Sequence, residues 1–331
     1  MKLISLIIVI ALAAATASSP YAAPLSSTAR VARQDHDDDH DTVRLERTVA
    51  AQSNVVVTVC IASGDVIVRG WDRGEVRAST TDAEQLELRG GVPGATAPAS
   101  RVEVLVSNGP DTGHNFESDC NAASDITLDV PRGASVQVKT RDGEIEVADV
   151  ADARLETLSG YVAMRHIGRR VEASSVSGDV SLDGSGGPVR LRSISGSIEA
   201  SNARTLDATD DFEANTVSGD VMLSQVAHSR VEARTVSGIV SMKGPLARGG
   251  RYDFKTTSGD MMFTLPDDSS FRISARIPQG EIVTDFSLKD ANRPNPANPG
   301  PQFLTGTHGT GDATLDLYSF SGTVHLRRNS K

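Results

Sequence analysis

Val171-Glu172-Ala173-Ser174-Ser175-Val176-Ser177-Gly178-Asp179-Val180-Ser181-Leu182 is the stretch on which the reading of the fold turns. Residues 171 and 173 are apolar on one parity, and 176, 180 and 182 are apolar on the other. Strand side chains alternate between faces, so one flat strand cannot bury both sets on one side. A bulge or corner must therefore sit before or at Ser177-Gly178, with glycine accepting a positive φ. On this reading Val176 joins Val180 and Leu182 in the interior.

The same unit recurs on both sides. It reads Ser63-Gly64-Asp65-Val66, Asp142-Gly143-Glu144-Ile145, Ser159-Gly160-Tyr161-Val162, Ser177-Gly178-Asp179-Val180 and Ser195-Gly196-Ser197-Ile198. It continues as Ser218-Gly219-Asp220-Val221, Ser237-Gly238-Ile239-Val240, Ser258-Gly259-Asp260-Met261 and Ser321-Gly322-Thr323-Val324. From Gly143 to Gly259 the glycines are 17, 18, 18, 23, 19 and 21 residues apart. The parity switch recurs too: Val189 and Leu191 before Ile194, Ile198 and Ala200; Phe212 and Ala214 before Val217, Val221 and Leu223; Val231 and Ala233 before Val236, Val240 and Met242. Each repeat thus reads as strand, corner, strand and a variable loop of about 6–11 residues.

The class is all-β. Val55, Val57 and Val59 alternate, as do Val102, Val104 and Val106, and no long segment carries a 3.6-residue apolar period. Recurrence of one template at near-constant spacing predicts a β-solenoid of stacked coils of about 18–21 residues, each covering the apolar inside of the next. An antiparallel β-sandwich of hairpins is the alternative. The 331 residues hold 8 Phe, 4 Tyr and 1 Trp against 29 Gly, which suits thin aliphatic layers better than a bulky interior. With 43 acidic and 33 basic residues the net charge is −10, and no basic stripe offers itself to nucleic acid.

Residues 1–23 read as a secretory signal peptide, with Lys2, an uncharged apolar run from Leu3 to Ala15, and cleavage after Ala17 or Ala23. The expected location is periplasmic, secreted or cell-surface, and no later segment is apolar enough to span a bilayer. Residues 24–42 read as an acidic linker, where His36, His40, Asp37 and Asp39 are weak candidates for metal and a solvated, self-repelling spacer is the plainer reading. Cys60 and Cys120, the only cysteines, are expected to form a disulfide in an oxidising compartment. Residues 43–130 form an N-terminal β region and 131–285 the repeat solenoid. A Pro/Asn/Gly-rich loop over 286–312 and capping strands over 313–331 follow. A longer echo links Val130-Pro131-Arg132-Gly133 to Leu265-Pro266-Asp267-Asp268.

The S-G-D-V units, the Gly70-Trp71-Asp72-Arg73 turn and the V-P-R-G turn resemble those of the DUF4097 proteins, over roughly Val43 to Leu326. These are bacterial β-strand-repeat proteins labelled putative adhesins, with related domains called toast-rack domains. The resemblance implies an exported, non-enzymatic, solenoid-like binding or structural module, tied in some members to envelope-stress systems.

Asp65, Asp179, Asp220 and Asp260 follow the turn glycine and could line one edge as a calcium ladder, but Glu144, Tyr161, Ser197, Ile239 and Thr323 interrupt it. Turn chemistry explains them more simply. Asp183-Gly184-Ser185-Gly186-Gly187-Pro188 superficially resembles a serine-protease nucleophile segment and reads as a loop between coils. His114, His166, His228, His308 and His325 are scattered and expected at the surface or in loops. Arg165, Arg169, Arg170, Arg190 and Arg192 lie near acids, as a polysaccharide-active enzyme on a β-helix would need and as alternating surface charge also gives. The expectation is no enzyme, no cofactor, and a protein or glycan partner at the cell envelope.

Overall fold

The computed structural model describes residues 44–90, 97–108, 120–292 and 301–329, all within the body Gln34–Lys331. The signal-peptide and linker readings, with His36, Asp37, Asp39 and His40, lie outside the described residues, as does His114. The described chain is all strand and turn, with 25 strands. No helix among the described residues is long and apolar enough to cross a membrane.

Strands pair in parallel into two faces that meet at the Ser-Gly corner, giving eleven layers. Layer 1 is Ala99–Ser107 with Ile126–Pro131, and layer 2 is Leu45–Ser63 with Val66–Trp71. Layers 3 to 5 are Ser135–Asp142 with Ile145–Ala148, Asp152–Ser159 with Val162–Ile167, and Val171–Ser177 with Val180–Gly186. Layers 6 to 8 are Val189–Arg192 with Ile198–Arg204, Asp211–Asn215 with Val221–Ser224, and Arg230–Arg234 with Val240–Lys243. Layer 9 is Arg251–Ser258 with Met261–Pro266, layer 10 the single strand Ala313–Asn329, and layer 11 Phe271–Ile277 with Gln279–Thr284. The chain is thus the expected solenoid rather than an antiparallel sandwich, and strands Leu45–Ser63, Val66–Trp71, Ala99–Ser107 and Ile126–Pro131 belong to the same stack as the repeats.

Equivalent interior residues lie directly above one another. One row runs Val136, Ala153, Val171, Val189, Phe212, Val231, Tyr252 and Leu315, pair by pair. All are buried. The turn glycines form a column of their own. A Cβ on Gly178 would fall inside the carbonyl oxygen of Gly160, and one on Gly219 inside that of Gly196. With φ of +153° at Gly178, the corner excludes any other residue twice, by backbone conformation and by the approach of the layer below.

Chain order and stacking order differ at both ends. Layers 3 to 9 follow the sequence, but the chain runs layer 2, then 1, then 3, and at the far end 9, then 11, then 10. The two hops across an occupied layer, each twice the ~4.8 Å strand spacing, use the two echoing segments. In both, the proline carbonyl accepts a bond three residues on, from Ala134 N–H (2.9 Å) and Ser269 N–H (3.1 Å). Residues 313–329 therefore do not cap the stack: they pair with layer 9 on one side and layer 11 on the other. The segment expected as a loop supplies the cap instead, through Gln302–His308 antiparallel to Phe271–Ile277 and Lys289–Asn292 antiparallel to Gln302–His308. The opposite end is covered likewise by Gln85–Gly90 and Glu75–Thr80. Antiparallel covers of this kind blunt an open solenoid edge.

A disulfide joins Cys60 in layer 2 to Cys120 on the approach to layer 1. His228, expected at the surface or in a loop, lies in the loop between Val221–Ser224 and Arg230–Arg234 but is fully buried there against the edge of Phe212, with Nε2 2.8 Å from the Gly187 carbonyl oxygen and Nδ1 unpartnered. Burial lowers its pKa below 6.5, although the Gly187 carbonyl and the Asp210 and Asp211 carboxylates pull the other way.

Three outcomes are expected. Gly178→Ala should cost about 3 kcal/mol or more in urea unfolding, while Gly168→Ala, whose Cβ meets nothing closer than 3.6 Å, should change stability by less than about 0.5 kcal/mol. His228 is held neutral by the fold, so its contribution is complete above pH 6.5 and is lost as the pH falls below that value. Thermal melts of the wild type should show this acid-side loss, and melts of His228→Gln should lack it. Reducing the disulfide removes a constraint of about 4 kcal/mol in the chain-entropy model. The melting temperature should fall while circular dichroism stays β-rich, because layers 3 to 11 carry no cysteine.

Candidate functional site: the corner ridge

The corner is built from three columns. Inside, a hydroxyl three residues before each glycine from Gly143 onward is buried, at Thr140, Thr157, Ser175, Ser193, Thr216, Thr235, Thr256 and Ser319, with Ile61 in that place before Gly64. Four of these donate to the glycine carbonyl of the layer below. Ser193 Oγ bonds Gly178 (3.2 Å), Thr216 Oγ1 Gly196 (2.9 Å), Thr235 Oγ1 Gly219 (3.0 Å) and Ser319 Oγ Gly259 (3.2 Å). Ser175 Oγ and Thr256 Oγ1 have no partner. The glycines form the middle column.

Outside lies the column that follows the glycine. Asp179 Oδ1 accepts from Ser197 N–H (2.7 Å), Asp220 Oδ1 from Ile239 N–H (2.7 Å) and Asp260 Oδ1 from Thr323 N–H (2.7 Å). Asp65 Oδ1 does the same for Glu144 N–H at 2.8 Å. Each carboxylate thus ties down a backbone donor of the next layer, the Asx-type chemistry the turn reading expected.

Between the buried hydroxyl and the serine stands a side chain that, at Val176, Ile194, Val217 and Val236, the sequence reading placed indoors. Leu158, Val176, Ile194, Val217, Val236 and Phe320 are 40–52% exposed. The parity of the first strand continues through the hydroxyl column, so the small polar residue points in and its apolar neighbour points out; the switch comes only after the glycine. Serine or threonine is preferred inside because its hydroxyl satisfies a carbonyl that the corner turns inward. The outward residues stack through the ladder, with Ser195 N–H bonding Val176 O (2.9 Å), Ser218 N–H Ile194 O (2.9 Å) and Ser258 N–H Val236 O (2.8 Å). They form an apolar ridge from layer 4 to layer 10, with Thr257 standing in layer 9.

The ridge has a basic side and an acidic side. Toward the first face the column runs Glu156, Ser174, Arg192, Asn215, Arg234, Lys255 and Tyr318, basic in layers 6, 8 and 9, where each cation is also paired with a carboxylate one column further, at Glu213 (3.1 Å), Glu232 (2.7 Å) and Asp253 (2.9 Å). Toward the second face stand Asp179, Asp220 and Asp260. One row of the second face runs Glu146, Ala163, Ser181, Glu199, Met222, Ser241 and Met262, with Ala163 buried and the two glutamates its charged members.

The remaining candidates have structural places. The arginines near acids form an exposed ladder of ion pairs: Arg154 with Glu172 (3.2 Å), Arg190 with Glu172 (3.7 Å) and Glu213 (2.8 Å), and Arg169 with Asp152 (2.7 Å). Such pairs are worth about 0–1 kcal/mol each. Burial raises the Glu213 pKa, and Arg190 and Arg192 outweigh it, leaving the carboxylate below its ordinary value. The segment 183–188 is strand up to Gly186 rather than all loop, with Ser185 buried and its hydroxyl unpartnered. Asp183 accepts from Ser201 (2.6 Å) and Asn202 (2.8 Å), which lower its pKa.

Comparison with known proteins gives a family match and distant structural likenesses. The model of the Toastrack DUF4097 family matches residues 101–327. A putative adhesin from Bacteroides fragilis NCTC 9343 is 16% identical, with 66% of this chain and 96% of that one covered and a TM-score of 0.41. A putative adhesin from Parabacteroides distasonis ATCC 8503 is 9% identical, with 86% and 98% covered and a TM-score of 0.42. A putative lipid binding protein from the same organism is 9% identical, with 86% and 97% covered and a TM-score of 0.38. No curated protein matches the sequence.

Proposed function

Because the chain belongs to the Toastrack DUF4097 family, we propose that it is an exported, non-enzymatic module of the bacterial envelope that makes its contacts through the corner ridge. One observation carries the reading: five successive layers, 4 to 8, place an apolar side chain 40–52% exposed in one line beside the glycine column, and Phe320 extends it beyond Thr257. Water-facing apolar residues scattered singly need no explanation, but a contiguous line marks a contact surface. A rigid backbone adds to this, since side chains held on a hydrogen-bonded ladder lose little freedom on binding. The Lys2 and Leu3–Ala15 leader pattern and the disulfide support export. The envelope partner is a protein or a glycan.

Immobilised protein exposed to envelope extracts and to a glycan panel should retain a partner without turning it over. The double variant Ile194→Asp/Val217→Asp should lose that retention, and Met222→Ser/Met262→Ser on the second face should keep it. Cleavage of any glycan on the panel, or equal capture by the ridge variant, would defeat the reading.

A further inference from the structure

We infer that the partner seated on the ridge is a second copy of this chain, aligned in parallel so that each layer faces its own counterpart; this rests on the reading of the ridge as the contact surface. The first argument is pitch. The ridge residues recur once per layer, at the ~4.8 Å spacing of hydrogen-bonded strands. The surface that matches such a row at every tooth is another row of the same pitch, and a second copy supplies it over the whole length. Each valine and isoleucine of one copy then lies beside its own counterpart in the other.

Charge fixes the direction. From layer 6 onward the charged members of the first-face flank are Arg192, Arg234 and Lys255, in layers 6, 8 and 9, with Glu156 the one acid of that column in layer 4, and Asp179, Asp220 and Asp260 flank the ridge on the other side in layers 5, 7 and 9. A two-fold axis along the stack brings the basic flank of each copy against the acidic flank of the other, within one layer of register. A two-fold axis across the stack would set basic against basic and acid against acid. Opposite-sign flanks favour encounter and penalise the wrong docking. The parallel arrangement is isologous and closes at two copies.

Area is consistent with this. From Leu158 in layer 4 to Phe320 in layer 10 the ridge spans six layer steps, about 29 Å. With its flanks it is on the order of 600 Å² a side, approaching the roughly 800 Å² per partner of a standard interface. Tyr161 and Tyr318, 39% and 38% exposed beside the ridge, widen it with the aromatic surface that such interfaces favour.

The described chain has no free cysteine, so single substitutions report the geometry directly. Val176→Cys and Val236→Cys should each crosslink to itself under mild oxidation, and an equimolar mixture should contain no 176-to-236 product. Sedimentation should show wild-type dimer, with Ile194→Asp/Val217→Asp weakening association by about 100-fold or more at unchanged circular dichroism. Because these side chains face solvent, the variants test contact rather than folding. A 176-to-236 crosslink in place of the self-crosslinks overturns the parallel arrangement. A wild type that stays monomeric overturns the inference, and then ridge-dependent capture from envelope extracts keeps the wider reading while its absence removes that as well.

Discussion

The structure depends on how closely one corner can lie upon the next. At each Ser-Gly unit the carbonyl of the glycine below occupies the space a Cβ would need, from Gly143 over Gly64 through Gly322 over Gly259. Parallel strands are spaced by their hydrogen bonds, so two faces joined at a corner stack without fault only if the corner takes the same rise as the strands. Glycine permits that rise. A hydroxyl inside and, at Asp65, Asp179, Asp220 and Asp260, a carboxylate outside then satisfy backbone groups that the turn leaves over. These three columns make each layer a template for its neighbour, and the interior rows follow as a consequence.

The same constraint produces the ridge. Once the inward position before the corner is given to serine or threonine, the following residue faces water whatever its polarity. Six layers place an aliphatic or aromatic side chain there, although lysine or serine would fit the backbone equally well. Nothing in the stacking of the layers calls for that choice. It is the part of the corner that packing does not explain, which is why function is sought there rather than in the ion-pair ladder of the first face.

The ends show a second use of the corner rule. Because every layer offers the same template on both sides, the order in which the chain occupies the layers need not be its sequence order. Both ends exploit this: the outermost coil is not the last in sequence, and Ala313–Asn329 is held between two neighbours. The Pro-initiated hops at Pro131 and Pro266 make the exchange possible. A strand with partners on both sides cannot fray as a terminal strand would.

The all-β class, the corner at each Ser-Gly pair and the glycine column were legible in the linear chain, since period-two patterning and a fixed glycine spacing are local properties. The pairing of Cys60 with Cys120 followed from their number and setting. Val176, Ile194, Val217 and Val236 were assigned to the interior, because apolarity alone does not say on which side of a corner the parity changes. Deciding that takes the hydroxyl-to-carbonyl bond between layers, which joins residues 15 to 20 apart. The burial of His228, the slot for residues 313–329 and the cap at 302–308 were likewise hidden, for they depend on which layer lies next to which. A repeated template specifies what each layer looks like, and only the assembled stack specifies its neighbours.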